Sequence, residues 1–256
     1  MRDITYPPII TTAKGLFRAL GLRFTLSGTE HVPRTGGVLL ACNHIGYADF
    51  VFGGLAANPS KRLVRFMAKR EIFDHKIAGP VMRSMHHIRV DRGDGVQSFH
   101  DAVQYLRDGE AVGIFPEATI SRSFQIKEIK TGAVRIAAEA GVPVLPVIMW
   151  GTHRIITKDH PKDFTRGKTI ALAVGEPLHP TGEDPVAETA ELKAALEKLL
   201  DETIRAYPAD EQPEGSWWLP AAYGGSAPTP EEAEVLDANE KRERAARRAA
   251  KRAEKS

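Results

Sequence analysis

Six short apolar runs restrict the folds open to this chain. Val38-Leu39-Leu40-Ala41, Arg62 to Ala68, His87 to Arg92, Glu110 to Phe115, Val142 to Trp150 and Lys168 to Val174 read as strands bounded by turn residues. Helical patterns separate most of them. Phe50 to Ala57 is one, with Asp49 near its N-cap. Val96 to Arg107 places Phe99, Val103 and Leu106 on one face and ends at Asp108-Gly109. Ala133 to Ala140 is closed by Gly141, and Asp184 to Ala206 turns Leu192, Leu196, Leu199 and Leu200 inward. Lys69 to Arg83 mixes helix signals with a Gly79-Pro80 break. Alternating strands and helices predict a single α/β domain, its mixed, largely parallel sheet covered by helices.

A chain of 256 residues suits one such domain with appendages, and 42% apolar with 27% charged residues is ordinary for a globular protein. A single cysteine, Cys42, excludes an internal disulfide and suits a reducing compartment. Met1-Arg2-Asp3-Ile4 opens without the apolar core of a secretory signal. No stretch reaches the roughly 18 uncharged apolar residues of a transmembrane helix. Net charge is +2, but Lys241 to Lys255 holds eight Lys/Arg against two Glu, which leaves the remainder near −4. The basic charge is therefore a property of the tail, and no nucleic-acid partner is expected.

The strand Val38 to Ala41 runs into Cys42-Asn43-His44-Ile45-Gly46-Tyr47-Ala48-Asp49. His44 and Asp49 thus fall in a strand-to-helix turn, where α/β proteins keep their chemistry. A carboxylate bound to one imidazole nitrogen leaves the other free to take a proton. The spacing alone is weak, because His86/Asp91 and His179/Asp184 repeat it. A capping Asp and a structural His would give the same pattern. Cys42 could share a face with His44 and form an acyl-cysteine, although a lone cysteine at a strand end is more often a small buried hydrophobe. His86 and His87 read as structural, and no Cys/His group has zinc spacing.

The ends differ from the centre. Residues 1–26 carry Ile9, Ala13, Leu16, Phe17 and Leu20 at helical spacing with Lys14 and Arg18 between them. Such a helix lies in a membrane interface or packs on its own domain. The domain proper is expected over 27–207. Residues 208–230 are rich in Pro and Gly around Trp217-Trp218-Leu219, a strap over an apolar patch or a membrane-interface segment. Residues 231–256, rich in Ala, Glu, Lys and Arg, predict a solvated helix or disordered tail that anionic headgroups would attract.

Four blocks in order carry a resemblance: Asn43-His44-x4-Asp49, Ile88-Arg89-Val90-Asp91-Arg92, Phe115-Pro116-Glu117-Ala118-Thr119 and Val142-Pro143-Val144-Leu145-Pro146-Val147, with Lys130-Thr131-Gly132-Ala133 between the last two. The chain resembles the glycerolipid acyltransferases, in particular the 1-acylglycerol-3-phosphate acyltransferases, over roughly residues 35–180. The resemblance implies acyl transfer from a thioester of coenzyme A or acyl carrier protein to the hydroxyl of lysophosphatidic acid, giving phosphatidic acid. It implies His44 as base and Asp49 as its orienting carboxylate, with no metal or redox cofactor. It implies Arg92, Glu117, Lys130 and Thr119 around the acceptor, with Arg92 and Lys130 on its phosphate, and groups Asn43 with them as the residue that fixes the loop. The setting implied is peripheral, at the cytoplasmic face of a membrane.

The third block departs from the family's Phe-Pro-Glu-Gly-Thr-Arg-Ser. Ala118 replaces the Gly, where a positive φ would strain it. Ile120 replaces the Arg, and Arg122 is the nearest substitute. These departures keep another lipid or glycolipid acceptor open. A non-catalytic lipid-binding peripheral protein and a metal-dependent phosphoesterase are the readings from other classes.

Overall fold

The computed structural model describes Asp3, residues 5–91 and residues 95–253. In chain order its elements are α1 (Tyr6–Ala19), β1 (Arg23–Ser27), β2 (Val38–Cys42), α2 (Asp49–Ala56), β3 (Val64–Lys69), α3 (Arg70–Phe73), α4 (Ala78–Ser84), β4 (Ile88–Val90), α5 (Gly95–Arg107), β5 (Ala111–Ile114), α6 (Gly132–Ala140), β6 (Val144–Trp150), β7 (Thr169–Val174), α7 (Pro185–Ala206) and α8 (Pro230–Ala253). The strands form one sheet in the order β1-β7-β6-β2-β5-β3-β4. Every neighbouring pair is parallel except β6 with β7. This is the expected α/β domain with a mixed, mostly parallel sheet.

Side chains alternate between two cores, as strand geometry requires. From β2, Leu39 and Ala41 join Val103, Leu106, Val134, Ile136, Leu192 and Leu196 of α5, α6 and α7. Val38, Leu40 and Cys42 join Phe17 of α1 and Phe52 of α2 on the opposite face. All five residues of β2 are buried, as are all seven of β6. The central strands are apolar throughout because both faces are covered. Local signals close the elements. Gly141 ends α6 at φ +68°, and Asp184 caps α7 by accepting from Val186 N and Ala187 N.

Several boundaries differ from expectation. Residues 23–26 are not part of the N-terminal helix; they lie in β1, paired with β7. Phe24 and Leu26 do alternate with polar neighbours, but the strand is only five residues long, and four of them are exposed at the sheet edge. The Gly79-Pro80 pair does not break a helix but sits in the first turn of α4, where a missing proline N–H costs nothing. Helix α1 buries Tyr6 and Phe17 against the domain and leaves Leu16 57% exposed. Trp218 and Leu219 are buried in the same core as Trp150 and Tyr207. Trp217 stacks on His160 with ring centres 3.8 Å apart. Among the described residues no helix is long and apolar enough to cross a membrane.

Candidate active site

The parallel strands β2, β5 and β6 end on one side of the sheet, so the loops after them meet there. The β2 loop carries Asn43, His44 and Asp49. Asn43 is buried, and its side chain donates to Met149 O (3.1 Å) and accepts from Met149 N (2.8 Å). Both ends of its amide are thus spent on β6. Asn43 fixes the loop, as expected.

Asp49 is the first residue of α2, next to the N-cap as expected, and its side chain does not cap that helix. Its carboxylate turns back into the loop and is wholly buried. Oδ2 accepts from Ile45 N and Gly46 N, both at 2.7 Å, and lies 3.0 Å from His44 Nδ1. Oδ1 accepts from Thr152 Oγ1 at 2.7 Å. Two amides and a hydroxyl compensate a buried charge that would otherwise be costly. Against the acceptor-only carboxylate, His44 Nδ1 is the protonated nitrogen, and Nε2 keeps its lone pair. The His44 side chain is 19% exposed. Its ring stacks on Phe115 at 4.4 Å, and Phe115 stacks on buried Phe66 at 5.6 Å. Gly113 makes room for that column, because a Cβ there would lie 2.4 Å from the Phe66 ring.

The β5 loop holds His44 from behind. His44 N donates to Glu117 Oε1 (2.8 Å), Lys127 N donates to Glu117 Oε2 (3.1 Å), and Ser121 N donates to His44 O (2.8 Å). Glu117 is therefore a buried brace between two loops, neither a cap nor a surface ion pair. Each of its oxygens thus accepts one backbone amide. Burial pushes its carboxyl up to about 8, against the pull of the two amides and Lys127. Ala118 adopts φ +61°, the left-handed conformation foreseen for it. Ile120 is 4% exposed, an apolar plug where the family pattern has an arginine.

Arg122 is buried and engaged. Its Nε donates to Asp159 Oδ2 (2.5 Å), its Nη1 to Asp237 and its Nη2 to Glu240 Oε2 (2.9 Å). Burial opposes its charge, but these carboxylates more than offset that and hold the guanidinium protonated. Lys127 Nζ donates to Thr119 Oγ1 (3.0 Å) and to Asp237. Lys158 Nζ donates to Glu240 Oε2 (3.0 Å). The substitute phosphate ligand foreseen at Arg122 is thus occupied by carboxylates of α8. Lys130 is exposed just ahead of α6. Arg92 lies outside the described residues. Asp91, beside it, accepts from Arg70 Nη1 (2.9 Å).

Cys42 faces the core opposite to α5, α6 and α7, among Phe52, Phe66 and Met149. Burial pushes its thiol far above the ordinary range, so it is no nucleophile. His87 accepts from Phe66 N on Nδ1 (2.9 Å), and burial lowers it to about 4. No local motif marks Thr152, Ser121 or Lys127; they join the site through contacts with Asp49, His44 and Glu117.

Helices on both faces of a mostly parallel sheet, with polar loops gathered at the ends of its central strands, define an α/β protein whose candidate site lies at the strand ends. The chain belongs to the glycerolipid acyltransferase family: the Acyltransferase family model matches residues 23–150. The 1-acyl-sn-glycerol-3-phosphate acyltransferase of Bacillus subtilis is 32% identical over 177 residues, covering 69% of this chain and 83% of the relative. That of Limnanthes douglasii is 26% identical over 200 residues, covering 77% and 67%. The crystal structure of the 1-acyl-sn-glycerophosphate acyltransferase of Thermotoga maritima matches with a TM-score of 0.66 at 27% identity, covering 79% of this chain and 80% of that one. The protein is an acyltransferase, and the non-catalytic reading falls.

Proposed function

We propose that this enzyme moves a fatty acyl group from an acyl thioester to the free hydroxyl of lysophosphatidic acid, giving phosphatidic acid. The observation that carries the reading is the buried Asp49 carboxylate on His44 Nδ1, which leaves Nε2 as a base at the ends of the central strands. The names of the relatives support this acceptor. Nε2 takes the hydroxyl proton as the acceptor oxygen attacks the thioester carbonyl. Asp49 stabilises the imidazolium that results. The tetrahedral adduct collapses, the C–S bond breaks, and the thiolate of coenzyme A or acyl carrier protein leaves with the proton from His44. Arg92 and Lys130 are proposed phosphate ligands on the resemblance of their motifs, and Thr119 borders the acceptor.

The setting we infer is peripheral, at the cytoplasmic face of a membrane. Helix α1 supports it, with Leu16 exposed between Lys14 and Arg18. Beside it a groove of about 430 Å³ is lined by Phe17, Leu22, Phe24, Leu55 and Leu172. The buried Ile120 and the engaged Arg122 favour a second reading, a different lipid or glycolipid acceptor. The test is thiol release from an acyl thioester with and without lysophosphatidic acid, for wild type and His44→Ala. Release that needs the acceptor and His44, with phosphatidic acid as product, supports the first reading. Turnover only with other lysolipids or glycolipids supports the second.

A further inference from the structure

Helix α8 is held to the domain through very little apolar surface. Thr229 N donates to Glu232 Oε2 (2.9 Å) and Glu232 N to Thr229 Oγ1 (3.3 Å), a capping box that stabilises the helix start without help from neighbours. Among its described side chains only Ala233, 5% exposed, is buried. Val235 and Leu236 are 60% and 42% exposed. Asp237 and Glu240 follow Ala233 on the same face, four and then three residues on. These two carboxylates make the ion pairs to Arg122, Lys127 and Lys158. The helix is therefore clasped by charge rather than by a core.

Among the described residues, removing α8 from the cluster would leave its three cations with one ion-paired carboxylate, Asp159 on Arg122. The two carboxylates that α8 brings supply about the charge of a phosphate monoester near neutral pH, roughly −1.5 to −2. A guanidinium and two ammonium groups suit such a group. The cluster also adjoins the catalytic loop. Ser121, next to Arg122, holds His44 O, and Lys127 N holds the Glu117 that holds His44 N.

We propose that Arg122, Lys127 and Lys158 form a phosphate-monoester site that Asp237 and Glu240 of α8 occupy as an internal competitor, so that ligand binding displaces the helix. The occupant rests on the acceptor proposed above, with Arg122, Lys127 and Lys158 adding to Arg92 and Lys130 as ligands of its phosphate; inorganic phosphate is the other source of the same chemistry. The displacement is a competition of like charges for three cations, and no bond is made or broken.

The test is amide hydrogen exchange over residues 233–245 of the full chain, wild type against Asp237→Asn/Glu240→Gln. Each is measured in chloride, in inorganic phosphate at matched ionic strength, and with phosphatidylcholine vesicles with or without lysophosphatidic acid. Wild type in chloride should exchange about tenfold more slowly than the variant, and phosphate or lysophosphatidic acid should remove the difference. A response to both ligands assigns the site to phosphate as such, and a response to the lysolipid alone assigns it to the headgroup. Equal exchange in wild type and variant, or no response beyond that of chloride, overturns the proposal. Steady-state acylation of lysophosphatidic acid separates the two readings. A lower KM in the variant supports the competitor. Turnover with equal KM and unmoved exchange ends the competitor and leaves the acceptor standing. Exchange that responds to phosphate without any turnover ends the acceptor and leaves the site standing.

Discussion

Replacing Asp49 by Asn should separate catalysis from stability. The Asn oxygen can occupy the Oδ2 position and keep the bonds from Ile45 N, Gly46 N and His44 Nδ1. Its NH2 then meets Thr152 Oγ1, which can rotate from donor to acceptor. The hydrogen-bond count survives, so the stability cost should stay near 1 kcal/mol, or about 2–4 °C in Tm for a chain of this size. What disappears is the charge. Unit charges about 4 Å apart attract by about 4 kcal/mol at an effective dielectric of about 20. Most of that arises only once His44 holds the proton. At about 1.4 kcal/mol per tenfold, kcat should fall roughly 100- to 1,000-fold with KM little changed. Because the His44 tautomer is preserved, the loss should be electrostatic, and His44→Ala/Asp49→Asn should be no slower than His44→Ala. The assay is thiol release at saturating thioester and lysophosphatidic acid, with thermal unfolding alongside. A kcat within fivefold of wild type, or a rate lost in step with a collapsed Tm, would refute the reasoning.

Three further outcomes are expected. Ala118→Gly removes the cost of a non-glycine residue at φ +61°, about 1–2 kcal/mol, less the chain entropy that glycine adds; it should raise stability by about 0.5–1 kcal/mol in urea unfolding with activity unchanged, and a loss of stability would contradict it. Because Glu117 is raised to about 8 in the folded protein, the native state binds its proton more tightly than the unfolded chain. Its contribution is therefore greatest below the ordinary glutamate range and is lost as pH rises through 8. Urea midpoints of wild type should fall between pH 5 and 9, those of Glu117→Gln should be flatter, and parallel profiles would count against the brace. Gly113→Ala drives a methyl into the Phe66 ring and should cost about 1–3 kcal/mol; it should also slow turnover through Phe115 and His44, whereas Cys42→Ala should keep full turnover because that thiol is buried in the core and unavailable to substrate.

The sequence showed what is local and hid what is assembled. Strands β2, β5 and β6 were readable because burial on both faces demands unbroken apolar runs. Edge strand β1 was not: its alternation of Phe24 and Leu26 with polar residues spans only five positions directly after α1, so Arg23–Ser27 looks like the end of a helix. His44 and Asp49 were readable as a pair because only four intervening residues close their contact. Thr152 was not, since it reaches Asp49 from 103 positions away through the pairing of β2 with β6. Glu117 marks the boundary most clearly. Its residue type and place after a strand were plain, and a carboxylate near an acceptor invites a polar role toward substrate. Only the meeting of two loops shows its oxygens taken by His44 N and Lys127 N. A buried carboxylate satisfied by main-chain amides looks the same in sequence as one aimed at a ligand. Arg122 repeats the lesson with opposite charge: its partners Asp237 and Glu240 lie 115 and 118 residues on, in a tail whose composition reads as solvated. Motif residues thus mark where chemistry gathers, while the division between those that react and those that hold is a property of the packing of β2, β5, β6 and α8.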